Sequence, residues 1–458
     1  NKLNILFIAI DDLNDWTGYL GGHPNARTPN IDRLAKSGVY FSKAYCSAPA
    51  CGPSRASLMT GILPSSSGIY LNSQYFRQSR VLENAVTIPQ YFMQNGYTAI
   101  GSGKIFHEAD SVSWNDYWPS FTKTKPNDPM PPANLLPLNG IPDTRSFDWG
   151  PVDAANEQMG DWKVANWVIG QLQKQHDKPF FLACGFYRPH LPWYVPDEYF
   201  DFYPEEKITL PAINENDLND VPAPGKRMAR TWDNENVLKY GQHKNAVKGY
   251  LASISFVDAC VGRVIQALEN SAYKNNTIIV LWSDHGWHLG EKLHWRKFAL
   301  WEEATHNNLI IIAPGLTEAN TICEKPVSLI DIYPTLVELC NLPPKNDLNG
   351  KSLVPIIKDP DIEWQRPALT THGFMNHALR TDRWRYIRYA DGSEELYDHN
   401  NDEQEWDNLA GKDDYKNIID ELKNWLPKEN EPCSPYKRES SPGENEPPCF
   451  PQFKISRH

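Results

Sequence analysis

No apolar run in the 458-residue sequence approaches the roughly 20 residues of a membrane span, so no spanning helix is expected. Surplus positive charge is missing as well. Lys and Arg number 45 against 57 Asp and Glu, and the net charge of −12 argues against nucleic acid or an anionic membrane as partner. An anionic substrate is admitted only where a local cluster of cations, or a metal, reverses that field. Cysteine is sparse, and eight do not make a dense disulfide scaffold. Cys433 and Cys449 bracket the Pro-rich "SPYKRESSPGENEPP" and are expected to pair, since a poorly packed tail gains most from a staple; two unpaired thiols are the alternative. Internal repeats are absent. No leader precedes the first strand-like run, which starts at Leu3, and the expectation is a chain trimmed of a signal peptide, periplasmic or secreted.

What is present is an alternation of strands and helices. "LNILFIAI" is a continuous apolar run of strand length and suits a buried parallel strand. "RTPNIDRLAKSG" reads as a helix with Thr28 as N-cap, Pro29 in the first turn and Gly38 past its end; "TIPQYFMQNG" repeats the pattern with Thr87 and Gly96. "YTAIGSGK" reads as a strand ending in a Gly-rich loop. "WKVANWVIGQLQKQ" predicts a helix leading into the strand "PFFLACGF", and "VKGYLASISFVDACVGRVIQALE" one leading into "NTIIVLWS". "NLIIIAPG" follows as a strand and "SLIDIYPTLVELC" as a helix. The stretch 109–150, rich in Pro, Asp and Asn, predicts a long surface excursion. The fold class is therefore α/β with a largely parallel central sheet flanked by helices, over residues 1–360. Residues 361–458 change texture and predict a smaller α+β subdomain of antiparallel strands, a helix near 413–426 and the Pro-rich tail.

In open α/β sheets ligands gather at the carboxyl ends of the strands. Three predicted strands end in polar groups there: Asp11-Asp12, Asp284-His285, and "YRPH" with His190. Each alone has an ordinary reading, as a turn, a cap or a satisfied loop histidine. Together on one edge they point to a cation, because converging carboxylates repel unless one sits between them, and carboxylate oxygens suit a hard divalent ion such as Ca²⁺ or Mg²⁺. In "CGPSRASLMTG", Cys51 stands near a helix N-terminus, where negative charge is favoured, and Arg55 lies one turn on, able to fork onto an anion. A lone cysteine is more often a small buried hydrophobe.

The stretch "CGPSRASLMTG" resembles the signature of the type I sulfatases, whose cysteine is oxidised to formylglycine. "IAIDDLNDW", "TPNIDRLAKSGVYFSKAYC", "TIPQYFMQNGY", "GSGKIFH", "GFYRPHLPW" and "SDHGWHLGEKLHWRK" resemble, in order, the iduronate-2-sulfatase branch of the alkaline phosphatase-like superfamily. The likeness runs from about Leu3 to Gly315 and is weaker beyond, where "ELYDHNNDEQEWDNLA" alone is family-like.

That resemblance implies Ca²⁺ held by Asp11, Asp12, Asp284 and His285 with the modified Cys51. It implies that Arg55 holds the hydrated aldehyde, and that Lys104 and His107 contact it and assist its later collapse. His190 would protonate the leaving alcohol, and Lys297, thirteen residues after Asp284, would grip the sulfate. Taken alone, either lysine reads as solvated. The implied partners are a sulfated oligosaccharide or polysaccharide and a formylglycine-generating maturation enzyme. The implied substrate is a 2-O-sulfated uronic acid or related residue of a glycosaminoglycan or algal polysaccharide. Rival readings are a phosphonate or phosphate monoester hydrolase on the same scaffold, and a non-enzymatic, calcium-stabilised glycan-binding protein whose Cys51 stays a thiol.

Overall fold

The structure, a computed structural model, describes residues 2–144, 146–436 and 449. Its main sheet is built from β1 (Asn4–Ile10), β2 (Val39–Phe41), β3 (Thr98–Gly103), β4 (Asp116–Trp118), β5 (Phe180–Phe186), β6 (Thr277–Ser283), β7 (Leu309–Ile312) and β8 (Thr321–Cys323). The spatial order is β8-β2-β7-β6-β1-β5-β3-β4. Every neighbouring pair is parallel except those made by β7, which runs against both β6 and β2. A short apolar run such as "LIII" carries no direction, so the sequence could not show this reversal.

β1 lies at the centre and explains its own composition. Leu6, Ile8 and Ile10 pack into one core, Ile5, Phe7 and Ala9 into the other, and a strand covered on both faces needs apolar residues at every position. Helices α1 (Pro29–Ala35), α4 (Gly160–Leu172) and α5 (His243–Glu269) contribute to the first core. Helices α2 (Cys51–Thr60), α3 (Ile88–Gln94) and α6 (Ile332–Leu339) contribute to the second.

Helix ends follow the expected chemistry in one case and depart from it in another. At α3 the Gln90 Oε1 accepts from the Thr87 backbone N–H at 2.9 Å, and Gly96 takes a φ of 85° beyond the last turn. At α1, Thr28 spends its hydroxyl on Asp32 Oδ1, 2.9 Å away. The orphan N–H groups of Asn30 and Ile31 instead donate to the Asp258 carboxylate of α5, at 3.1 and 2.8 Å. Gly38 is not a left-handed cap; a Cβ there would meet Ile311 O of β7 at 2.7 Å. By length and composition α5 is apolar enough to cross a membrane, which a reading by uninterrupted runs passed over because Lys248, Asp258 and Arg263 break it. It is mostly buried and serves as a core helix.

The 109–150 excursion is irregular over most of its length but contributes β4, an edge strand too short to carry a periodic signal. The C-terminal part holds an antiparallel sheet of Ala368–Thr371, His377–Arg380, Trp384–Arg388 and Glu394–Asp398, followed by helix α7 (Lys416–Lys423). Cys433 and Cys449 are joined in a disulfide, their Cα atoms 6.2 Å apart; most of the Pro-rich tail between them lies outside the described residues.

Candidate active site

The carboxyl ends of four parallel strands meet at one place. Asp11 and Asp12 follow β1, Lys104 follows β3, Tyr187 to His190 follow β5, and Asp284 and His285 follow β6. Asp12 is wrenched into the left-handed region at φ 60°. Its backbone N–H donates to Asp284 Oδ1 at 3.1 Å, and its carbonyl accepts from the Tyr250 hydroxyl of α5 at 2.7 Å. These bonds hold a conformation that costs a non-glycine residue roughly 1–3 kcal/mol.

Helix α2 delivers Cys51 as its first residue and Arg55 one turn later on the same face. Cys51 Sγ lies 3.0 Å from Lys297 Nζ, 3.2 Å from His285 Nε2 and 3.8 Å from Asp12 Oδ1. Beneath it the Arg55 guanidinium is committed to the protein. Nε donates to Asp284 Oδ2 at 2.8 Å, Nη2 to Asp11 Oδ1 at 3.3 Å, and Nη1 to the carbonyls of Lys104 and Ile105 at 2.5 and 3.1 Å. These four bonds leave one N–H of a guanidinium's five, so Arg55 forks onto carboxylates and not, as expected from sequence, onto a free anion. Lys104 Nζ donates to Asp11 Oδ2, and Lys297 Nζ to Asp12 Oδ1 at 2.7 Å.

The electrostatics follow from this packing. Burial pushes the Asp11 carboxyl up, but Lys104, His190 and Arg55 outweigh it and hold it well below the usual carboxylate range. Burial wins at Asp12, whose carboxyl is raised despite Lys297. Burial and Asp11 push the Cys51 thiol up, yet Lys104 and Lys297 leave it below its ordinary value. Burial lowers the ammonium groups of Lys104 and Lys297, but the carboxylates overturn that and keep both charged. At His285 burial works against the proton, and Asp284 with Cys51 reverses it, up to about 9.

The cluster can hold a metal ion: its carboxylate oxygens suit a hard divalent cation, while Cys51 Sγ and the histidine nitrogens are softer donors. One ligand atom each from Asp11, Cys51, Asp284 and His285 lies within 4.8 Å of the others, and the same holds for Asp11, Asp12, Cys51 and His190. Asp12 Oδ2 is buried with no hydrogen-bond partner among the described residues, a carboxylate oxygen of the kind a cation satisfies. His285 Nδ1–H donates to Gly286 O at 3.0 Å, so Nε2 is the nitrogen turned toward the cluster and the one that would bind a cation once its proton is displaced.

His190 sits at the mouth, its side chain 36% exposed, with Nε2 4.0 Å from Asp12 Oδ2 and Nδ1–H donating to Leu191 O at 2.6 Å. Burial and Lys297 push its imidazolium down, against Asp12, to about 3. His107 lines a small recess with Gly52 and Ala56; its Nδ1 has no partner among the described residues, and burial with Lys104 keeps it neutral down to about 3. His294 is not at this site: its ring nitrogens contact the carbonyl oxygens of Ala229 and Lys297.

Several supporting residues escaped the sequence reading. Ser54 Oγ donates to Asp284 O at 2.5 Å, Asn72 Oδ1 accepts from Gly52 N at 2.7 Å, and Tyr250 bridges Asp12 O and Asn14 N. Ser54 lies inside the quoted "CGPSR" and was the one within reach. Asn72 and Tyr250 come from distant segments with no local signal.

A family model described as Sulfatase matches residues 3–342, and one described as N-sulphoglucosamine sulphohydrolase, C-terminal, matches residues 290–431. A protein named Sulfatase from Formosa agariphila is 41% identical over 446 residues, covering 94% of this chain and 87% of that protein. The iduronate 2-sulfatase of Mus musculus is 33% identical over 403 residues, covering 75% and 69%. A solved structure of a protein in complex with its substrate D-glucosamine-2-N,6-O-disulfate superposes with a TM-score of 0.76 at 21% identity, over 93% of this chain and 97% of that one. The largely parallel sheet and the antiparallel C-terminal subdomain thus have their counterparts, and the chain belongs to the sulfatase family of sulfuric ester hydrolases, on the alkaline phosphatase-like α/β fold.

Proposed function

We propose that this sulfatase removes sulfate from a sulfated saccharide, a 2-O-sulfated uronic acid or related residue of a glycosaminoglycan or algal polysaccharide. In this reading position 51 is matured to formylglycine by a maturation enzyme, and Ca²⁺ is held by Asp11, Asp12, Asp284 and His285. The supporting observation is the position of Cys51 Sγ, at the start of α2, 3.0 Å from Lys297 Nζ and 3.2 Å from His285 Nε2. The named relative that acts on iduronate favours the uronic acid.

When matured, position 51 supplies two hydroxyls on one carbon, one to bond sulfur and one to expel sulfate afterwards. When bound, Ca²⁺ supplies positive charge against the sulfuryl oxygens. The remaining work belongs to the chain. Three carboxylates (Asp11, Asp12, Asp284) are already matched by three cations (Arg55, Lys104, Lys297), so a divalent cation makes the pocket net positive and attractive to an anion in an acidic protein. Lys104 and Lys297 flank the sulfuryl group and stabilise charge that builds on its oxygens. Arg55 is a positioning residue that fixes Asp11 and Asp284. His190 presents a bare Nε2 because Nδ1–H is spent on Leu191 O. An anionic ester beside that nitrogen raises its proton affinity, so the proton for the leaving alcohol is taken up with the substrate. His107, held neutral, accepts a proton from position 51 as sulfate departs.

The test is release of inorganic sulfate from a panel of defined sulfated saccharides by matured enzyme, beside matched phosphate monoesters. Sulfate release from a 2-O-sulfated uronate or a related sugar is expected. Phosphate monoesters turned over faster than every sulfate would overturn the reading.

A further inference from the structure

A second group of cations lies beside the first, across one aromatic ring. Lys104 Nζ is 5.8 Å from the Tyr187 ring centroid and Lys125 Nζ is 4.9 Å from the same centroid. The loop carrying Lys125 docks on Tyr187 through the Thr124 hydroxyl, 3.2 Å from the tyrosine oxygen. Its seat is rigid: Asp161 accepts from the backbone N–H groups of Tyr187 and Arg188, each at 2.8 Å. The Arg188 guanidinium is buried and donates to the carbonyls of Tyr194 and His190 at 3.2 and 3.3 Å. The segment that carries His190 therefore also anchors this second group.

Three cations, Lys123, Lys125 and Arg188, line this region against two carboxylates, Asp128 and Asp161. Asp128 Oδ2 is 3.3 Å from Arg188 Nη2 and 3.8 Å from Lys125 Nζ, one carboxylate oxygen between two cations. Asp128 Oδ1 is spent on Gly160 N at 2.7 Å. Burial and Arg188 push the Lys125 ammonium below its ordinary range, against Asp128 and Asp161. Its side chain is 45% exposed, so the ammonium can meet a ligand. It borders an open cavity of ≈ 660 Å³, whose lining includes Lys123, Thr124, Lys125, Asp128, Arg188 and Pro192. That is ample for a sugar ring, and Arg188 and Pro192 flank His190 in sequence.

We propose that this cavity is a second anion subsite, in which Lys125, with Lys123 at its rim, binds another oxyanion of the same saccharide while the scissile sulfate occupies the site at position 51. The inference rests on the saccharide reading above and narrows it to sugars with two anionic groups. A carboxylate and a second sulfate share the required chemistry, an oxyanion meeting an ammonium in a partly desolvated cleft.

The test uses full-length protein carrying Cys51→Ala, titrated by calorimetry with a monosulfated neutral hexose, which is a monoanion, a monosulfated uronate and a disulfated hexosamine. At least one dianionic sugar is expected to bind about tenfold tighter than the monoanionic one, the size of one charge-assisted contact. Adding Lys125→Gln is expected to bring that ratio to about one, and Lys125→Arg to retain it, with the preference weakening as salt is raised. Which dianionic sugar shows the preference tells carboxylate from sulfate. Equal or undetectable binding of all three sugars, or a preference that survives Lys125→Gln, would overturn the subsite. Because binding is read on protein that cannot be matured, a failed saccharide reading shows separately, as absent sulfate release by matured enzyme.

Discussion

Asp12 and Asp284, 272 residues apart in the chain, meet backbone to side chain: the Asp12 N–H donates to Asp284 Oδ1 at 3.1 Å. The bond forms because parallel strands β1 and β6 are neighbours and end at the same level, with Ile10 beside Ser283. The Asp12 carboxylate has one oxygen on Lys297 and the other, Oδ2, buried without a hydrogen-bond partner among the described residues.

That orphaned oxygen gives the first expected outcome. Added Ca²⁺ raises the Tm of the parent protein, since a ligand bound only by the folded state stabilises it. Asp12→Asn keeps the shape and tolerates the left-handed backbone but removes the charge. The Ca²⁺-dependent rise in Tm, measured with and without chelator, should shrink or vanish in this variant. An unchanged rise would place the cation elsewhere.

Cys51→Ser, expressed where only cysteine is matured, should keep its fold and lose nearly all sulfate release. A serine offers one hydroxyl, so it has no second one to expel sulfate, and a stable sulfo-ester at position 51 is expected by mass spectrometry. Turnover equal to the parent's would remove the aldehyde from the account.

His190→Ala separates proton donation from binding. A general acid matters most for a poor leaving group such as a sugar alcohol and least for nitrophenol. The expected loss is about 10²–10⁴-fold on a sulfated sugar, and far smaller on a nitrophenyl sulfate. Equal losses on the two substrates would assign His190 to binding or structure.

His23 supplies a pH effect away from the active site. Its ring stacks on Trp16 at 4.0 Å, Nε2–H donates to Thr209 O at 3.0 Å, and Nδ1 accepts from Asn25 N at 3.2 Å. The neutral ring is satisfied at both nitrogens, and burial holds its pKa at about 4 against an ordinary 6.5. The unfolded chain takes up a proton below 6.5 that the folded protein refuses until about 4. Stability from this group is therefore whole above 6.5 and lost as pH falls toward about 4, by at most about 3 kcal/mol. Denaturation midpoints at pH 7 and 4.5 should differ less in His23→Gln than in the parent. An identical difference would show that His23 does not carry this slope.

The parts of the site that were legible in sequence are those fixed by local rules. An apolar run ending in Asp11-Asp12 reports a strand end, and a four-residue spacing puts Cys51 and Arg55 on one helical face. Lys297 is different. It returns to Cys51 through a coil in which Lys292, Leu293 and Phe298 all take positive φ, between 51° and 71°, and no propensity rule encodes such a path. Family likeness supplied that residue where physics did not. The Arg55 partners were missed for a related reason: a guanidinium reads in sequence as an anion binder, and only the fold shows that protein carboxylates already use it. Lys125 and Tyr187 were passed over because the excursion that holds Lys125 reads as a mere surface loop.

The central claim is that an aldehyde at position 51 performs the hydrolysis, and it is tested most directly by relating occupancy to rate. Protein is prepared with graded amounts of a formylglycine-generating enzyme, the fraction of aldehyde in the peptide containing position 51 is read by mass spectrometry, and sulfate release is measured on the same samples. The account expects activity proportional to the aldehyde fraction, extrapolating to none for the unmodified thiol. Full activity in samples whose Cys51 remains a thiol would contradict it.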